Sequence, residues 1–205
     1  MKLYLSSFRL GDSPERLLAL LPRPARVAVV CNAMDFVTPA IRRAKVEAEL
    51  TALASLGLPA EELDLRDDDA AARLPAYDAL WVRGGNVFHL RAALARSGAD
   101  AVLPALIRSE QLVYAGYSAG ACVLAPSLHG LEHVDPVDDP EAVIWDGLAL
   151  LDHAIVPHLD SPGHPETDLV AAVAETYART GVPYLALRDG QALFVHGDHR
   201  EIVPG

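Results

Sequence analysis

A serine flanked by glycines interrupts an otherwise apolar stretch, LVYAGYSAGACV, at residues 112–123. An apolar run, Leu112 to Ala115, reads as a strand, and the small and apolar residues after Gly120 suit a helix. A serine at a sharp strand-to-helix turn projects its hydroxyl away from both elements, and glycines at 116 and 120 let neighbouring backbone pass without a Cβ clash. Ser118 is therefore the candidate nucleophile. The same turn aims the Ala119 N–H, at a helix start, toward the space where an oxyanion would develop.

A serine hydroxyl attacks only when a base takes its proton and an acid holds that base in one tautomer. Of eight histidines, His158 in IVPHLD stands at a predicted strand end, with Pro157 restricting the backbone before it. His89 falls in a helix, His196 and His199 lie near the C-terminus, and His129, His133 and His153 lack a strand-end position. His158 is the candidate base. Asp189, in LRDG after the strand YLAL, is the candidate orienting acid on strand-end placement. Its rival is Asp135 in HVDPVDDP, which also reads as a turn former or a substrate-pocket residue. Gly84-Gly85-Asn86, after the strand DALWV, exposes backbone N–H groups before a helix, so that Gly85 N–H could complete an oxyanion hole with Ala119. No phosphate-binding glycine motif follows a strand, and no regular ligand spacing predicts a metal.

These residues need elements to hold them. KLYLSS, RVAVVCNA, ELDL and DALWV read as strands alternating with helical patterns. Thr38 and Pro39 start a helix that Gly57 ends, with Ile41, Val46, Leu50 and Leu53 as its apolar face and Arg43–Glu47 and Lys45–Glu49 as surface pairs. Asp67 to Asp69 reads as a solvated helix start, and Asn86 as the cap of a helix running to Gly98. ALLDHAIVPH reads as a strand, Pro165 to Arg179 as a helix, and YLALRDG with QALFVHGD as a strand pair closed by a tight turn. Such alternation predicts an α/β three-layer sandwich with a mostly parallel sheet, whose functional groups gather beyond the carboxyl ends of the strands.

A chain of 205 residues, 51% hydrophobic, predicts one domain over 1–205. The net charge of -11 excludes an electrostatic footprint for nucleic acid or an anionic membrane. Two cysteines, Cys31 and Cys122, make no disulfide framework, and the N-terminal apolar run is too short for a signal peptide. A cytoplasmic protein is expected.

Taken in order, Gly84-Gly85-Asn86-Val87-Phe88 with Leu90, Gly116-Tyr117-Ser118-Ala119-Gly120-Ala121, Pro157-His158 and Asp189-Gly190 resemble the peptidase E family of serine peptidases, the aspartyl dipeptidases. Cyanophycinases are more distant relatives. The resemblance runs from the first strand to at least Leu193. It implies a fold similar to class I glutamine amidotransferases, with Ser118 as nucleophile, His158 as base, Gly85 and Ala119 as oxyanion donors, no cofactor, no metal and a tendency toward homo-oligomers. Two departures stand out. Asp189 replaces the glutamate expected as third member of the triad. Where a Glu-Thr-Arg run would supply an arginine for an acidic side chain, Glu166-Thr167 is followed by Asp168, which would repel one. Arg188 and Arg83 are the cations that could replace it. The expected activity is thus a serine exopeptidase acting on short peptides, with Asn86, Asp135, Asp168 and Arg188 as candidate substrate-binding residues. An esterase or amidase using the same triad, or a silent small-ligand-binding protein, are the alternatives.

Overall fold

The computed structural model describes residues 1–205. Five parallel strands form most of one sheet: β1 (Lys2–Ser6), β2 (Val27–Val30), β3 (Ala60–Glu62), β4 (Ala79–Val82) and β5 (Val113–Tyr117). Two antiparallel strands, β8 (Ala192–His196) and β9 (His199–Val203), extend it beyond β1, giving the order β3-β2-β4-β5-β1-β8-β9. A separate parallel pair joins β6 (Ala154–Val156) to β7 (Tyr184–Ala186).

The central strands are apolar at nearly every position because both faces are covered. Alternate residues serve opposite layers. Leu3, Leu5, Ala28, Val30, Leu80 and Val82 enter the larger apolar cluster. Tyr4, Val27, Val29, Ala79 and Trp81 enter the smaller one. The smaller layer is closed by α1 (Pro14–Leu20) and α2 (Pro39–Ser55), through Leu17, Leu20, Val46 and Leu53. The larger is closed by α4 (Val87–Ser97), α5 (Ala99–Arg108), the single turn α6 (Ala119–Cys122) and α7 (Thr167–Thr180), with the short α3 (Ala70–Arg73) at its margin. The result is the expected three-layer sandwich. No helix is long and apolar enough to cross a membrane.

Four local expectations are corrected. The expected strand ELDL is extended only at Glu62, the strand there being Ala60–Glu62. The segments YLAL and QALFV do not pair with each other. Tyr184–Ala186 lies parallel to Ala154–Val156, whereas Ala192–His196 is antiparallel to β1 and to a strand not anticipated from the sequence, His199–Val203. ALLDHAIVPH is extended only over its Ala154–Val156 portion. On α2, Ile41 is exposed, while Arg42 and Glu49 are buried beside Val46 and Leu53. Both charges point inward because partners wait there. Arg42 meets Asp35, Glu62 and Asp64, and Glu49 accepts hydrogen bonds from Trp81 Nε1 and Tyr117 OH, so the expected Lys45–Glu49 surface pair is replaced by an interior one.

Candidate active site

β1, β4 and β5 are adjacent and parallel, so their carboxyl ends open on one edge of the sheet. Ser7 and Phe8 leave β1 there, Arg83 to Asn86 leave β4, and Ser118 leaves β5. Ser118 has φ 50° and ψ -120°, a strained conformation for a residue with a Cβ, and functional sites are where such strain concentrates. The turn is possible because β5 and α6 press against β4: a Cβ on Gly116 would come within 2.6 Å of the Val82 carbonyl oxygen, and one on Gly120 would collide with the same atom. Gly85, at φ +148°, passes the Ala33 carbonyl so closely that a Cβ would lie 2.5 Å from its oxygen. The N–H groups of Gly85 and Ala119 donate to no other part of the backbone. Asn86 is the expected cap, its Oδ1 accepting from Phe88 N and His89 N, while its Nδ2 donates to the Pro136 carbonyl.

The second sheet supplies the other half. β6 and β7 run in parallel with Val156 opposite Ala186, so the residues just beyond them, His158 and Asp189, emerge side by side. His158 Nδ1 lies 2.7 Å from Asp189 Oδ1. The His158 backbone, at φ 61°, is held at both ends: its N–H donates to Ser7 Oγ at 2.8 Å, and its carbonyl accepts from Thr167 Oγ1 at 2.9 Å. Ser7 Oγ also donates to Asp189 Oδ1 at 2.8 Å, and Asp189 N–H donates to Ser161 Oγ. Burial pushes the His158 imidazole below its ordinary pKa, against the opposing pull of Asp189. It is thus kept neutral and able to accept a proton.

Ser118 and His158 line one cavity of about 400 Å³, together with Phe8, Arg83, Gly85, Asn86 and Tyr117. Acidic groups share this lining: Asp135, Asp138 and Glu166. Asp135 Oδ2 accepts the Val87 N–H at 2.8 Å, and burial raises this carboxyl to about 7. Arg83 is the cavity's arginine, and its charge is already engaged, with Nε 3.2 Å from Glu49 Oε1 and Nη1 donating to the Gly84 carbonyl. His164 stacks on His158 with ring centroids 3.7 Å apart.

The fold therefore brings together Ser118, His158, Asp189, Gly85, Ala119, Asn86 and Asp135. It leaves out two candidates. Asp168 is exposed on the first turn of α7, and Arg188 is exposed and paired with Asp160; neither lines the cavity. Cys122 is buried, its thiol donating to the Ile155 carbonyl, which agrees with a core role. Sequence reasoning missed Ser7, Ser161 and Thr167. Thr167 alone had a signal, standing in the same run as Glu166.

With a strained serine at the carboxyl edge of a parallel sheet and a carboxylate-held imidazole on the same cavity, the molecule falls in the class of α/β serine hydrolases. The model of peptidase family S51 matches residues 32–203, and the chain belongs to that family. It is 34% identical over 191 residues to peptidase E of Streptomyces coelicolor, covering 90% of this chain and 73% of that one. It is 31% identical over 156 residues to an uncharacterized peptidase of Listeria monocytogenes, covering 74% of each. A crystal structure of a candidate peptidase E protein from Listeria monocytogenes EGD-e superposes with a TM-score of 0.81 at 26% identity, covering 99% of this chain and 98% of that one. The protein is a serine-type peptidase of the peptidase E family.

Proposed function

We propose that residues 1–205 form one exopeptidase domain that hydrolyses short peptides through Ser118, His158 and Asp189. The observation that carries this reading is the 2.7 Å approach of His158 Nδ1 to Asp189 Oδ1, on the cavity that Ser118 enters. Asp189 accepts the Nδ1 proton and so leaves the Nε2 lone pair free to take the Ser118 hydroxyl proton. Ser118 attacks the peptide carbonyl, and Gly85 and Ala119 N–H groups stabilise the tetrahedral oxyanion. His158 then returns the proton to the leaving amine, and water, activated by the same imidazole, releases the acyl group. Asp189 outranks Asp135 as the orienting acid, because Asp189 contacts His158 Nδ1 while Asp135 accepts the Val87 N–H. The cavity is small and closed by acidic groups, which favours short substrates and the α-ammonium end of a peptide. An aspartate side chain meets the carboxyl groups of Asp138 and Glu166 and an arginine already paired with Glu49, so Asp-X dipeptides are disfavoured relative to neutral X-X substrates.

The test is amino acid release from a panel of di- and tripeptides, run with wild type and Ser118→Ala, alongside labelling by a serine-directed phosphonate. Hydrolysis of neutral dipeptides that vanishes in Ser118→Ala, with phosphonate on Ser118, is expected. Equal hydrolysis by both proteins would remove the mechanism, and preferred release from Asp-X would remove the specificity.

A further inference from the structure

The cavity holds a second chemistry that the peptidase reaction does not use. One donor atom each of His158, His164 and Glu166 lies within 4.8 Å of the other two. Two imidazoles and a carboxylate form a ligand set that zinc takes with one position left for water or substrate. Two of the three donors have no part in the proposed reaction, and the third, His158, would be shared with it. His158 Nδ1 faces Asp189, which leaves Nε2 as its ligand atom. His164 Nδ1 is in contact with Glu166 N–H at 3.3 Å, which leaves its Nε2 free. Glu166 occupies the N-cap position of α7, yet its side chain makes no capping bond and no ion pair.

We propose that this cluster binds a zinc ion reversibly and that the ion switches the peptidase off. Asp189 supports the assignment independently of the three ligands. A carboxylate on the far nitrogen of a metal-bound imidazole fixes its tautomer and raises its basicity, and Asp189 already occupies that place on His158. Two imidazole donors select zinc or copper over magnesium or calcium, which prefer oxygen. The donors must close from the observed spacing to tetrahedral contact, and the stacked rings, parallel within 4°, must tilt apart for their lone pairs to converge. His164 and Glu166 permit this, since both are only partly buried and stand in the turn before α7. The ion would occupy the lone pair that otherwise receives the Ser118 proton, so binding and catalysis exclude each other. No bond in the peptide is involved and no redox step occurs.

Zinc chloride is titrated into the Ser118→Ala protein against a chromophoric chelator, so that binding is read without activity. One equivalent per chain is expected, with affinity falling at least roughly tenfold in both Glu166→Gln and His164→Asn. His199→Gln, on the exposed β9, serves as control and should bind as the parent does. Affinity that is unchanged in both cluster variants, or lost only in the control, places zinc elsewhere and overturns the site. In the wild-type protein, zinc should suppress peptide release, EDTA should restore it, and Glu166→Gln should need more zinc for the same suppression. Binding without suppression overturns the switch. The inhibitory role rests on the proposed function, but the chelator titration does not: absence of peptide hydrolysis with zinc still bound would sink the peptidase reading alone.

Discussion

Replacing Asp135 by asparagine should stabilise the protein, and more so as pH rises. The side chain accepts the Val87 N–H, a bond an amide oxygen keeps, so the substitution removes the charge and little else. Burial, reinforced by Glu166 and opposed by the Val87 bond, raises this carboxyl from 3.8 to about 7. Between those values the folded chain holds a proton that the unfolded chain has lost. The stability this group contributes is therefore intact below about pH 4, declines as pH rises, and levels off above about pH 7. The rise corresponds to a ceiling of about 4 kcal/mol at high pH, of which about 2.5 kcal/mol accrues between about pH 5 and about pH 8. Urea denaturation of both proteins at these two pH values isolates the effect, since every other titrating group is common to the pair. The variant should gain on wild type by about 1 to 2.5 kcal/mol from the lower pH to the higher, the smaller figure allowing for solvent relaxation around a partly buried group. Stability curves that run parallel, or that diverge toward acid, would refute an uncharged Asp135 below neutrality.

Asp189→Asn should lower kcat by roughly 10⁴-fold, because an amide at this place can hold the imidazole in the wrong tautomer; steady-state rates on a cleaved dipeptide decide this, and a loss under tenfold would remove Asp189 from the orienting role. Gly120→Ala should cost about 1–3 kcal/mol, as the added methyl collides with the Val82 carbonyl and forces β4 from α6. Thermal melts and kcat together check it: activity should fall further than stability, since the same shift separates Ser118 from Gly85.

Much of the candidate site was legible because strand ends carry their own punctuation. Gly84-Gly85-Asn86, Ser118, His158 and Asp189 each follow an apolar run closely; the main sheet sends the first two to one edge, while His158 and Asp189 come from the separate β6–β7 pair, which the sequence did not set apart. The runs themselves were less informative about pairing. YLAL and QALFV are near neighbours with a turn between them, yet each finds a better partner, one in β6 and the other in β1. Local pattern cannot register that choice. Nor could periodicity place Arg42 and Glu49 inside, because their burial depends on Asp35, Glu62, Asp64, Trp81 and Tyr117, all remote in the chain. Asp168 was read as a pocket residue from its place in a motif. On α7 it turns to solvent, and the half-turn before it, with Glu166, faces the cavity.

Ser7 couples the candidate site to the middle of the sheet. Its hydroxyl touches the backbone of His158 and the carboxylate of Asp189, partners 151 and 182 residues away. It is set there by β1, which is clasped between β5 and β8. A change that frees β1 from β8 therefore reaches the His158–Asp189 pair from a distance, through a single hydroxyl.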